Sequence, residues 1–185
     1  MKTKVSRAGV ALVALLATAG TAFAEGEWSG NVAVTSDYVW RGISQSNEDP
    51  AISGGFDYAN GSFYAGAWAS NVDFGDASDT NLEADFYGGF ASEFANGITW
   101  DIGVIYYAYP DADDEDLDFV ELKAALGYAF EGGVAVGGEV YWDPDNQNVY
   151  YQATAGYGFT EAFAADVSVG NYSFDGGGDY TNWSL

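Results

Sequence analysis

Ten ionisable residues share one alternating face of stretches that read as extended strands. They are Asp37, Arg41, Asp57, Glu83, Asp85, Asp101, Glu121, Lys123, Glu139 and Asp166. Eight acids and two bases lining one interior would attract cations and repel anions. Glu83 and Asp85 are paired carboxylates, the residue type that acid–base chemistry uses, yet they sit side by side on one strand face with no cleft implied. The chain has no His and no Cys. That excludes Ser-His and Asp-His hydrolysis, imidazole and thiolate metal sites, and disulfides. No catalytic residue, cofactor or metal centre is therefore assigned, and no enzyme activity is expected.

Arg41 has two readings. It is a constriction residue orienting an anionic group, or half of a structural pair with an acid on a neighbouring strand. Lys123 has the same two. The run Asp111, Asp113, Asp114, Glu115, Asp116 and Asp118 begins with EF-hand spacing. It then fails, because position six is Asp116 where the loop needs Gly, and position twelve is Leu122 where it needs Glu. Loose recruitment of divalent cations by the acidic loops is the most it implies, and plain solvation is the alternative.

Strands must position these residues. In 98–109, Ile98, Trp100, Ile102, Val104 and Tyr106 alternate with Thr99 and Asp101. In 119–130, Val120, Leu122, Leu126, Tyr128 and Phe130 alternate with Glu121 and Lys123. A period of two means extended strand, and a long strand with one charge-free aromatic face suits lipid on that side. The stretch 27–41 reads the same way, with Trp28, Val32, Val34, Tyr38 and Trp40 on one parity. Nine strands are expected near 27–41, 51–59, 62–72, 81–91, 98–109, 118–130, 134–142, 149–159 and 163–173, and a tenth starts at Tyr180. Ten residues tilted by ~45° cover about 24 Å, close to a ~25 Å apolar band.

Short and long connections alternate. Tight turns fall at Asn60-Gly61, near Asn96-Gly97, at 131–133 and at 160–161. Longer acidic loops fall at 42–50, 73–80, 110–116, 143–148 and 175–179. Short turns on one side and long loops on the other are the pattern of an outer-membrane barrel. Outward aromatics gather at the two strand ends. Trp28, Tyr58, Tyr64, Phe90, Trp100 and Tyr128 lie near the turns, and Tyr38, Trp40, Tyr106, Trp142 and Tyr151 lie near the loops. Trp68 and Phe86 fall between the two girdles.

The first 24 residues read as an export signal. Lys2, Lys4 and Arg7 precede an apolar run, and Ala22-Phe23-Ala24 is a small-x-small cleavage site. The remaining domain, 25–185, keeps only Arg41 and Lys123 against 28 acids. Such charge excludes nucleic acid as a partner. Two bases cannot neutralise eight inward acids, so a wet lumen is expected over a dry, plugged one. The even strand number of single-chain bacterial barrels, and the stop just inside strand ten, read as a C-terminally truncated chain.

The segment Ser36-Asp37-Tyr38-Val39-Trp40-Arg41-Gly42-Ile43-Ser44-Gln45-Ser46 resembles the opening motif of the TorF-like porin family of Gram-negative outer-membrane proteins. The resemblance continues through Asp49-Pro50-Ala51, Gly54-Gly55-Phe56-Asp57-Tyr58 and the stretch from Phe63 to Phe74. It resurfaces at Asp179-Tyr180-Thr181-Asn182-Trp183. It implies a barrel and a pore and brings no substrate with it.

The expected fold is all-β, a transmembrane antiparallel up-and-down barrel of ten to twelve strands when complete. The expected function is passive diffusion of small solutes across the outer membrane, with a preference for cations. Its partners are the lipid bilayer, small solutes and divalent cations at the loops. A closed structural or adhesive barrel is the first alternative, and a secreted soluble acidic β-protein is the second.

Overall fold

A computed structural model describes residues 26–75, 79–112, 117–160 and 163–185. The stretch 1–24 that reads as an export signal and the acids at 113–116 lie outside them. The described elements are all β, in this order: β1 (Glu27–Thr35), β2 (Val39–Trp40), β3 (Ile43–Ser44), β4 (Ala51–Asn60), β5 (Phe63–Asn71), β6 (Leu82–Glu93), β7 (Ile98–Ala108), β8 (Phe119–Ala129), β9 (Val134–Asp143), β10 (Asn148–Thr160), β11 (Phe163–Ser173) and β12 (Tyr180–Ser184).

Ten of these form one sheet in chain order, β1-β4-β5-β6-β7-β8-β9-β10-β11-β12, and β2 with β3 makes a separate hairpin. Every neighbouring pair is antiparallel, and for β4 and β5 the two-residue turn at 61–62 allows no other pairing. Gly61 holds φ at 59° in the turn joining β4 to β5, a conformation that glycine adopts without strain. The sheet is an up-and-down meander whose two edges are β1 and β12. Among the described residues these edges do not pair with each other, so the sheet is curled but open.

Side-chain alternation follows the pleat. One face carries Ile52, Phe56, Phe86, Ile102, Val104, Leu122, Leu126, Val136, Val140, Val167 and Val169, all exposed. The other face carries the buried residues Glu83, Asp101, Tyr107, Glu121, Ala125, Glu139, Tyr141, Tyr150 and Tyr172. The usual soluble arrangement is inverted: aliphatic side chains face out, and carboxylates and phenols face in.

Three expectations need correction. The first strand does not run to Arg41. It ends at Thr35, and Arg41 and Gly42 turn the chain with φ at 47° and 87°. An extended strand cannot hold two such residues. The alternation through Tyr38 and Trp40 therefore belongs to an inward-folded loop, and these two rings are not girdle residues. Asp37 and Arg41 likewise sit on this loop and not on a spanning strand. Finally, Tyr64 and Trp68 face inward: Tyr64 bonds to Asp101, and Trp68 packs on Tyr38 with ring centroids 5.4 Å apart.

Candidate functional site

The loop 36–50 fills the concave side of the sheet at the end where the long connections lie. It is pinned locally first. Asp37 accepts hydrogen bonds from the hydroxyls of Ser44 (2.6 Å) and Ser46 (3.2 Å), and Ser46 Oγ also accepts from the Tyr38 backbone N–H. Ser46 is buried and forms an isolated bridge with Asp73. The tip then reaches across the sheet. Tyr38 donates to Glu83 on β6 at 2.7 Å. Trp40 meets Tyr107, Phe119 and Tyr172 on β7, β8 and β11. Gly42 lies so close to β12 that an added Cβ would come within 2.7 Å of the Asn182 Cβ.

Arg41 is the centre of this arrangement. Its two terminal nitrogens donate to the two carboxylate oxygens of Glu121 at 2.6 and 2.7 Å. The side chains are 6% and 1% exposed. The guanidinium carbon lies 4.2 Å from the ring centroid of Trp40, 4.6 Å from Tyr141, 4.2 Å from Tyr150 and 5.4 Å from Tyr172. A planar, weakly hydrated cation is the group that both a bidentate carboxylate and aromatic faces suit. The pair joins residues 80 positions apart, across the interior and not between neighbouring strands.

The remaining inward acids follow one pattern: tyrosine hydroxyls supply the donors that bases do not. Glu83 also accepts from Tyr109 at 3.0 Å, and Glu121 from Tyr107 at 3.1 Å. Asp57 accepts from Tyr87, and Asp101 from Tyr64 at 2.7 Å. Glu139 accepts from Tyr141 at 3.0 Å and from the Gln152 amide at 2.8 Å. Lys123 pairs with Asp101 at 2.7 Å. Asp85 differs, since its buried Oδ1 has no hydrogen-bond donor within reach among the described residues. Asp166 lies half-buried on the inward face of β11.

Glycines make room for these rings. Tyr87 lies across Gly66, where a Cβ would come within 2.5 Å of the phenol ring, and Tyr64 lies across Gly89 and Gly103. A balance of two bases against eight acids leaves out these phenols, which serve as donors. For three of them the signal was present in the sequence, because Tyr87, Tyr107 and Tyr141 share the strand parity of the acids on their own strands.

Outside the sheet, the Thr80 hydroxyl and the Asn81 backbone N–H both donate to Asp111, at 2.6 and 2.9 Å. The Thr80 bond is the main reason its carboxyl is held below the usual carboxylate range, although some loss of hydration opposes it. Among the described residues no group of three acids is arranged to hold a metal ion.

Residues 19–185 match the family described as bacterial protein of unknown function (Gcw_chp). The chain belongs to this family. The match spans both the 36–50 loop and the strands that receive it, so hairpin and wall fall within one family unit. No curated protein and no solved structure matches the chain.

Proposed function

We propose that the protein is an outer-membrane β-barrel that passes small cations through an acidic interior constricted by the β2–β3 hairpin. The observation that carries this reading is the inverted sheet. Exposed aliphatic and aromatic side chains cover the whole convex face, which in water would be an aggregation surface and in lipid is the expected one. Aromatic residues sit at both ends of that face, with Trp28, Phe63, Phe90 and Phe159 near the turns and Trp142 and Tyr151 near the loops.

Cation preference follows from the inward charge. Arg41 and Lys123 are committed to Glu121 and Asp101, and further acids remain along the same face. The proposed reading is transport without catalysis.

The hairpin favours a second reading, a barrel whose loop end stays shut and whose role is structural. Two measurements separate the possibilities. The protein should fractionate with the outer membrane and show heat-modifiable gel migration; a soluble form stable without detergent would sink both membrane readings. In a salt gradient across a planar bilayer, the reversal potential should have the cation-selective sign. Its magnitude should fade as salt screens the interior beyond ~10 Å at 0.1 M. Folded protein with no conductance would leave the structural barrel standing.

A further inference from the structure

The surroundings of Arg41 have the composition of a binding site whose occupant is attached to the protein itself. Its walls come from five consecutive strands. Tyr107 on β7 orients Glu121 on β8, and Tyr141, Tyr150 and Tyr172 on β9, β10 and β11 present their ring faces. These strands are fixed by their own ladders, so the walls do not need the hairpin for their placement. The occupant arrives separately, on the loop between β1 and β4.

That loop is not built to favour arginine at this position. Arg41 sits at φ 47°, in the left-handed region where glycine or asparagine is at ease and a long side chain is rare. Strain held at one residue directs attention to what its side chain does. Here the side chain delivers a guanidinium to a bidentate carboxylate between aromatic faces.

We infer that the Glu121–Tyr107–Tyr141–Tyr150–Tyr172 wall is a receptor for guanidinium-bearing small solutes, and that Arg41 is a tethered occupant of it. The ligand class follows from shape and charge. A carboxylate that accepts two parallel N–H bonds matches a planar fork, and stacked rings favour a flat, weakly hydrated cation over compact sodium or ammonium. When the hairpin withdraws, a free solute takes the same contacts. This names the substrate class of the proposed passage and in that respect rests on the channel reading. The receptor itself does not, because binding is measurable without conduction.

The test vacates the site and refills it. Arg41→Gly relieves the left-handed backbone and removes the occupant, and Arg41→Asn is a second variant that tolerates the same φ. Folded in detergent, each should show a saturable rise in melting temperature with millimolar methylguanidinium. The affinity should exceed that for sodium at equal ionic strength by at least about tenfold. Neutral urea at the same concentration should give no rise, and adding Glu121→Gln to either variant should abolish the effect.

Should both variants fold poorly, methylguanidinium in the refolding buffer should raise their yield where sodium does not. Wild-type protein gives a measurement that needs no variant: excess methylguanidinium should compete with Arg41 and shift the fluorescence of the adjacent Trp40. A response to methylguanidinium no greater than to sodium, in the variants and in the wild type, overturns the receptor. Methylguanidinium binding in a protein that conducts nothing would leave the receptor intact and remove only the channel reading.

Discussion

Removing one partner of the Arg41–Glu121 pair leaves the other charge in a place built for two. An exposed ion pair contributes only about 0–1 kcal/mol, but these side chains are 6% and 1% exposed and doubly bonded. Breaking a buried pair from one side typically costs ~3–5 kcal/mol. Glu121→Ala falls in that range, with about 1 kcal/mol of it from the Tyr107 hydroxyl that loses its acceptor. Arg41→Met strands Glu121 with Tyr107 as its remaining donor and should cost a similar amount. Replacing both, as Arg41→Met with Glu121→Leu, removes the stranded charge along with the pair. The double variant should therefore be destabilised by clearly less than the sum, with a coupling energy of roughly 2–3 kcal/mol. Urea titration of folding into detergent micelles, followed by tryptophan emission, measures all three. Two single variants that each lose under about 1 kcal/mol and simply add would refute the buried pair, and with it the inward-folded hairpin.

Three further outcomes follow from the same structure. Leu126→Arg places a charge on the exposed convex face of β8 and should cost about 2–4 kcal/mol of folding in lipid vesicles, whereas folding unaffected by it would reverse the face assignment. Gly66→Val pushes a side chain into the ring of Tyr87, which should part Tyr87 from Asp57 and cost roughly 1–3 kcal/mol, read by the same titration. Asp111 has a folded pKa below its unfolded one, so the order it confers on 79–81 is full above the unfolded pKa and is lost as pH falls through the folded one. Amide exchange at Asn81 should accelerate over that acid window, and Asp111→Asn should accelerate it at neutral pH as well.

Strand positions were legible because charge labels a face. Glu121 and Lys123 fix the parity of β8, Asp101 that of β7, and Glu83 with Asp85 that of β6, so the elements there fall where alternation puts them. Where no charge labels a face, parity fails. In β5 both sets are small or aromatic, with Phe63, Ala65 and Ala67 against Tyr64, Gly66 and Trp68. Only the partner of the Tyr64 hydroxyl, a carboxylate 37 residues away, decides which set turns inward. The end of β1 was hidden for a different reason. Alternation continues through Tyr38, Trp40 and the charged Asp37 and Arg41, so periodicity alone cannot separate a strand from a loop whose rings pack on an interior. Gly42 is the local signal of a break, but a lone glycine also occurs within strands, as Gly66 and Gly103 do here. The Arg41–Glu121 pair was beyond local reading altogether, since its register depends on the curl of the whole sheet.

The central claim is that the charge-free face meets lipid while the hairpin fills the other side. Tryptophan tests both at once, because Trp28, Trp142 and Trp183 lie on the exposed face and Trp40 and Trp68 on the inner one. Single-tryptophan variants are refolded into vesicles whose acyl chains carry bromine, a contact quencher of indole emission. Strong quenching of Trp142 and Trp183 with Trp40 and Trp68 spared is the expected result. Quenching of Trp40 as deep as that of Trp142, or no quenching of any tryptophan, would contradict the account.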